Sequence, residues 1–177
     1  MAPRTVPDIK LGSLFDGIGV FPLAASRCGI RPVWASEIEK APISITKRHF
    51  PEMEHLGDIT KIDGGKIEPV HVLTFGSPCQ NLSLIGNRSG LAGAKSSLFY
   101  QAFRIVHEMR DATDNLYPVI LVWENVMGAF STNDRMDFRA VLSAFADTEV
   151  PMPPSGRWGN AGMVRGGTPD VSWRLMD

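Results

Sequence analysis

The sequence predicts an α/β protein built on a doubly wound, mostly parallel sheet. Three observations predict it. Short apolar segments alternate with amphipathic ones along most of the chain. Two of the apolar segments, Val70 to Phe75 and Val119 to Trp123, are continuous and rich in β-branched residues, as buried parallel strands are. A glycine turn, Asp16-Gly17-Ile18-Gly19, joins the first apolar segment to the first amphipathic one.

The elements follow in order. Ile9 to Phe15 reads as a strand, and the helix after the glycine turn runs to about Cys28. Arg31 to Ser36 is a second strand and Glu39 to His49 a second helix, with Pro42 in its first turn, where proline is tolerated. Met53 to Leu56 is a weak third strand that ends at Gly57-Asp58. Residues 81–96 combine glycines with Arg88 and Lys95 and read as a long mobile loop. Ser97 to Arg110 is a helix whose Leu98, Ala102, Ile105 and Met109 share a face. Val119 to Trp123 reads as a second buried strand. Phe138, Val141, Leu142 and Phe145 place another helix over about Asp134 to Ala146. Residues 150–170 are rich in proline and glycine and are expected to hold no regular element. Val171 to Leu175 reads as the start of a further strand.

A chain of 177 residues is long enough for one domain with a real core. Its 44% hydrophobic and 21% charged residues are ordinary for a soluble protein, and no apolar run approaches the length of a membrane span. With no signal-peptide core at the N-terminus, a cytoplasmic setting is expected. The net charge of −1 argues against holding nucleic acid by bulk positive charge. It leaves room for a local basic face. Cys28 and Cys79 are the only cysteines, too few for a disulfide framework or a structural zinc site, so no metal is expected.

In a doubly wound sheet, ligands bind at the carboxyl ends of the strands. Asp16 to Gly19, Glu37, Asp58, Pro78-Cys79 and Glu124-Asn125 all fall at such ends. Glycines at the first turn let a ligand approach the backbone. A dinucleotide fingerprint would place a third glycine where this chain has Pro22, so a nucleoside without a pyrophosphate fits better. Glu37 can accept hydrogen bonds from ribose hydroxyls, and Asp58 from an adenine amino group. Each acid taken alone reads equally as a surface carboxylate or helix cap.

Cys28 lies among Leu23, Ala24 and Ala25 and reads as a small core residue. Cys79 follows a strand end and a proline, and a thiolate there could attack an electrophilic carbon. A histidine partner is lacking. His71 lies eight residues earlier on the same strand, and His49, His55 and His107 are elsewhere. At an enclosed strand end, Glu124 would hold a proton readily and could donate it to a ring nitrogen. Ser83, Ser89, Arg88 and Lys95 read as a solvated loop or as a lid whose cations touch phosphates.

The ordered set Phe-Asp-Gly-Ile-Gly, Glu37, Gly-Asp-Ile-Thr, Gly-Ser-Pro-Cys-Gln and Glu-Asn-Val resembles the DNA (cytosine-5) methyltransferase family, from about Lys10 to Val126. The resemblance implies the S-adenosylmethionine-dependent methyltransferase version of the doubly wound (Rossmann-like) sheet. It implies that Phe15, Asp16, Gly17 and Gly19 line a pocket for S-adenosylmethionine. Glu37 would hold the ribose, Ile38, Asp58 and Ile59 the adenine side, and Pro78 and Leu98 the border. Cys79 would add to carbon 6 of a flipped-out cytosine while Glu124 contacts ring nitrogen 3 and Asn125 braces the Pro-Cys loop. Carbon 5 then takes the methyl group, and loss of its proton expels the cysteine. Gln80, Ser83, Arg88 and Lys95 would face DNA.

The family's later arginine motif and target-recognition region have no counterpart here, so residues 1–149 read as a partial catalytic domain. The implied partners are double-stranded DNA and a second polypeptide supplying the remainder, in a bacterial or phage modification system. A tRNA methyltransferase, a non-catalytic fragment and a nicotinamide dehydrogenase are the competing readings.

Overall fold

The computed structural model describes residues 8–77, 98–131, 135–165 and 169–176. The chain divides into two compact units. One comprises Met1–Ser77 with Gln101–Glu124, the other Pro78–Tyr100 with Asn125–Asp177.

The first unit is a five-stranded parallel sheet with helices. Its elements are β1 (Lys10–Leu14), α1 (Val20–Arg27), β2 (Arg31–Ser36), α2 (Lys40–His49), β3 (Glu54–His55), a 3-10 turn at Ile59–Lys61, β4 (Val72–Phe75), α3 (Leu98–Ala112, from Gln101 onward) and β5 (Ile120–Trp123). The strand order is β3-β2-β1-β4-β5, and every pairing is parallel. Order reverses between β1 and β4, which makes the carboxyl ends of those strands the expected ligand crevice.

The core explains why these segments are strands. Leu11 and Leu14 of β1, and all four residues of β4, are buried. Trp34 of β2 is fully buried and donates its indole N–H to the Glu68 carbonyl at 2.8 Å. Its ring occupies the space a side chain on Gly12 would need: a Cβ there would lie 2.2 Å from the ring. The β1–β2 register shifts at this point, between Leu11 and Gly12. On α3 the predicted face is buried, with Ala102, Ile105 and Met109 fully enclosed.

Arg104 and Glu108 on the same helix hold the segment after β3. Arg104 donates to the carbonyls of Ile59 and Ile62 and to Glu108, while the Gly64 N–H donates to Glu108 at 2.7 Å. Gly64 lies so close to the helix that a Cβ would meet the Ile105 carbonyl oxygen at 2.4 Å.

Two expectations are corrected here. β5 is not a buried strand. Among the described strands it lies at the edge of the sheet, and Ile120 and Val122, which share one face, are 52% and 39% exposed, so that face is not covered as a central strand's would be. Cys28 is exposed and is not a core residue. The stripe of α1 that is buried consists of Pro22 and Ala25. Leu23 and Ala24 face outward, and Cys28 sits at the C-cap where the chain turns away through Gly29.

The second unit contains a 3-10 turn (Met127–Phe130), α4 (Met136–Ala146), β6 (Ala161–Val164) and β7 (Val171–Arg174). Phe138, Val141 and Leu142 are buried as their spacing predicts. Phe138 packs edge-on against Trp158 and Trp173, and also against Phe130 at 4.5 Å between centroids. The expectation of an irregular stretch over 150–170 fails at Ala161–Val164. These residues pair antiparallel with β7, so Val171 onward completes a hairpin of its own. Gly162 makes this possible, since a Cβ there would lie 2.1 Å from the Trp173 ring. Aromatic packing thus overrides the weak strand propensity of Ala161 and Gly162.

Gly12→Ala is expected to destabilise the chain by about 1–3 kcal/mol through overpacking against Trp34. A urea midpoint equal to that of the parent would contradict this reading of the β1–β2 contact.

Candidate cofactor and active site

The site is built from the turns that follow β1, β2 and β3. β1 ends at Leu14, and the backbone then enters the left-handed region at Phe15 (φ 54°), a conformation costly for a side chain of this size. Gly17 (φ 57°) and Gly19 (φ 84°) continue the turn, and α1 begins at Val20. Gly19 also has no room for a side chain, since a Cβ would lie 2.8 Å from Thr46 of α2. Gly17 is the opposite case: a Cβ would meet nothing within 4 Å. Its outer side is open.

Hydrogen bonds tie the turns together. The Asp16 N–H donates to the Ser36 carbonyl at 3.0 Å, and the Gly17 N–H donates to Glu37 Oε2 at 2.8 Å. Glu37 Oε1 accepts from the N–H groups of Ile38 (2.7 Å) and Glu39 (2.9 Å). The Ser36 hydroxyl donates to the Gly57 carbonyl at 2.7 Å, which draws the end of β3 to the end of β2. Asp58 Oδ1 accepts from both the N–H and the hydroxyl of Thr60, and these bonds hold its carboxyl below the usual range.

Asp16 is the electrostatic oddity. It is 6% exposed, and neither carboxylate oxygen has a hydrogen-bond partner. Burial pushes its carboxyl up to about 6. The nearby Ser13 hydroxyl opposes the rise and the charge of Glu37 adds to it.

Of the predicted pocket residues, Phe15, Asp16, Gly17, Gly19, Glu37 and Asp58 come together through these contacts. Ile38 is adjacent and 67% exposed. Ile59 is 4% exposed and packs into the core. Leu98 opens α3 in the other unit. Pro78, Cys79, Gln80, Ser83, Arg88 and Lys95, and the expected mobile loop, lie outside the described residues.

The root of the Pro78-Cys79 segment is described. The Glu124 N–H donates to the Phe75 carbonyl at 3.1 Å, and a Cβ on Gly76 would lie 3.2 Å from Glu124 Oε2. The Trp123 indole N–H donates to the Ser77 hydroxyl at 3.2 Å. The Glu124 side chain therefore stands over Gly76, three residues before Cys79. It is exposed, and not enclosed as expected. Asn125 belongs to the second unit and accepts from the Val126 N–H at 2.8 Å. His71, just before β4, accepts from the Lys10 N–H through Nδ1, a structural role.

Sequence reasoning named Phe15 without its left-handed backbone, and it missed two contributors: the Ser36 hydroxyl and the Arg104–Glu108 pair that holds Ile59. Only the last had a signal, the i, i+4 spacing of opposite charges on a helix.

Asp16 carries a pH-dependent stability signature. Its folded carboxyl titrates near 6, above the value of about 3.9 in an unfolded chain. The folded state therefore holds the extra proton between about pH 4 and 6, and stability falls as pH rises through that window. Asp16→Asn should flatten that fall and make the unliganded chain more stable at pH 7, by about 1–2 kcal/mol. Denaturant titrations at pH 4.5 and 7 measure it, and an equal or lower stability of the variant at pH 7 would contradict the burial argument.

Comparison with known proteins places this geometry. Residues 9–149 match the family model for C-5 cytosine-specific DNA methylases. The chain is 30% identical, over 96% of its length, to a DNA N-6-adenine-methyltransferase of Escherichia phage P1, of which it covers 26%. It is 30% identical over 78% of its length to the orphan methyltransferase M.SPRI of Bacillus phage SPR, covering 31% of that protein. It is also 32% identical over 74% of its length to the type II methyltransferase M.HhaI of Haemophilus parahaemolyticus, covering 37%. Among solved structures, a DNA modification methyltransferase from an Escherichia coli prophage shares the fold, with a TM-score of 0.57 and 20% identity over 89% of this chain and 40% of that one. The chain thus spans roughly a quarter to two fifths of the length of these relatives. With the family model matching residues 9–149, a span that includes both Cys79 and Glu124, the chain belongs to the C-5 cytosine-specific DNA methylase family.

Proposed function

We propose that this chain is the cofactor-binding and catalytic part of a DNA (cytosine-5) methyltransferase. It takes its methyl group from S-adenosylmethionine and acts on a cytosine flipped out of double-stranded DNA. The observation that carries the reading is the position of Glu124 over Gly76, at the root of the Pro78-Cys79 segment. The acid thus stands at the start of the segment that, in sequence, carries the proposed nucleophile Cys79.

The residues present fit the cofactor. Gly17 offers an open backbone surface, Asp16 offers buried oxygens without partners, and Glu37 and Asp58 stand at the next two strand ends. Glu37 would meet the ribose with Oε2, which has accepted one N–H bond, and Asp58 would meet the adenine with Oδ2. Ile38 would cover the adenine face. When bound, S-adenosylmethionine supplies the methyl group.

The chain's own residues supply the rest. The Cys79 thiolate bonds to carbon 6 of the cytosine, and Glu124 stabilises charge at nitrogen 3. Carbon 5 becomes nucleophilic and is methylated. Its proton then leaves, the carbon 6–sulfur bond breaks and the thiolate departs. Asn125 braces the Pro-Cys segment. Gln80, Ser83, Arg88 and Lys95 contact the DNA around the displaced base. The names of the relatives suit a phage or restriction-modification setting in a bacterial cytoplasm. Among the described residues no helix is long and apolar enough to cross a membrane.

One relative is named for adenine methylation. An exocyclic amine attacks a methyl donor directly and needs no thiol, so the Pro78-Cys79-Gln80 and Glu124-Asn125 motifs favour cytosine.

The test is transfer of labelled methyl groups to duplex DNA, followed by nucleoside analysis. The expected product is 5-methylcytosine, and Glu124→Gln should slow its formation by about 10²–10³-fold. Labelled N6-methyladenine would contradict the base assignment, and labelled tRNA in place of DNA would contradict the substrate. A chain that binds the cofactor without transferring methyl groups would favour a second polypeptide as an obligatory partner.

A further inference from the structure

We propose that Asp16 is the counter-charge for the sulfonium of the methyl donor, so that the site holds S-adenosylmethionine in preference to the spent thioether, S-adenosylhomocysteine. The proposal rests on the reading of this pocket as the cofactor site.

A buried carboxylate with no donor is rare and costly. The backbone around Asp16 does nothing to relieve it. Its own N–H is bound to Ser36, its carbonyl accepts from Gly19, and the Gly17 N–H is bound to Glu37. The Ser13 hydroxyl from β1, beside it, offsets only part of the cost of burial. From the end of β2, Glu37 is the charged group that acts on Asp16, and it has the same sign. Among the described residues no lysine, arginine or histidine contributes a balancing charge to it. Two carboxylates therefore stand at the mouth of β1 and β2 beside a turn whose outer side is open at Gly17. The local field calls for a cation.

The geometry points to one kind of cation. The Asp16 oxygens are sealed beneath the turn, so they act through their field and are badly placed to accept a ligand's hydrogen bond. An ammonium needs acceptors within hydrogen-bond reach. A sulfonium has no proton to donate and is stabilised by field alone. In an enclosed, low-dielectric setting that field is weakly screened. The sulfonium is also the group that disappears on methyl transfer, when it becomes a neutral thioether. A residue that destabilises the empty chain while favouring the charged donor is expected where function opposes stability.

Calorimetric titration of both ligands tests this on the whole chain. Asp16→Asn should weaken S-adenosylmethionine about tenfold or more while S-adenosylhomocysteine changes by less than about twofold. A second arm needs no variant. In the parent chain the donor should bind more weakly at pH 5 than at pH 7, as the Asp16 carboxyl takes up its proton, while the thioether should change little. Equal weakening of both ligands, or no weakening of either, would overturn the proposal. A parent chain that binds neither ligand at pH 7 would overturn the cofactor reading itself, and the proposal with it.

Discussion

The carboxylate of Glu37 holds the functional end of the sheet together. It accepts the N–H of Gly17 from the turn after β1, and those of Ile38 and Glu39 from the turn after β2. Bonds from backbone N–H groups to an ionised carboxylate are among the stronger hydrogen bonds in proteins. These three join two turns that would otherwise be separate loops. They also limit what Glu37 can do for a ligand. Two N–H groups occupy Oε1 and one occupies Oε2, so about one acceptor position remains. Gripping both ribose hydroxyls would require the Gly17 N–H to let go. Under the proposed function, the residue that positions this turn would also be the one that partly releases it to hold a ribose.

Behind this tie, steric constraints keep the strand ends in place. Trp34 fills the space over Gly12, Thr46 fills the space beside Gly19, and the Ile105 carbonyl fills the space over Gly64. Each contact works because one partner is glycine. Arg104 and Glu108 then fasten the segment from Ile59 to Gly64 onto α3, which carries Asp58 on its leading edge. These contacts therefore support the strands and segments that lead into the three turns that hold Asp16, Glu37 and Asp58. Glu124 is held differently, by a backbone bond to Phe75 at an exposed sheet edge.

How much of this was legible depended on the kind of interaction. Strand and helix positions in the first unit followed from periodicity, because both patterns are imposed by burial on a parallel sheet. The acids at the strand ends were legible as positions, because each follows an apolar run, although Asp16 is buried where solvent or a crevice would be expected. Sheet position was not legible. Val119 to Trp123 has the composition of a central strand, yet it lies at an edge, since composition reports apolarity and not neighbours. Cys28 was misread because Leu23 and Ala24, apolar in sequence, point outward. The strand at Ala161–Val164 was hidden because its stability comes from distant aromatic rings and not from its own residues. The lack of any donor for Asp16 could not be seen at all, since it depends on where every nearby N–H is spent.

The central claim is that Cys79 is a nucleophile acting on cytosine. Duplex DNA carrying 5-fluorocytosine tests it most directly, because fluorine at carbon 5 cannot leave as a proton does and the enzyme stays attached. Incubation with S-adenosylmethionine should give a protein–DNA adduct that survives denaturation, and Cys79→Ser should give none. A folded chain that binds the cofactor and the DNA but forms no adduct, or an adduct that persists in the serine variant, would contradict the account.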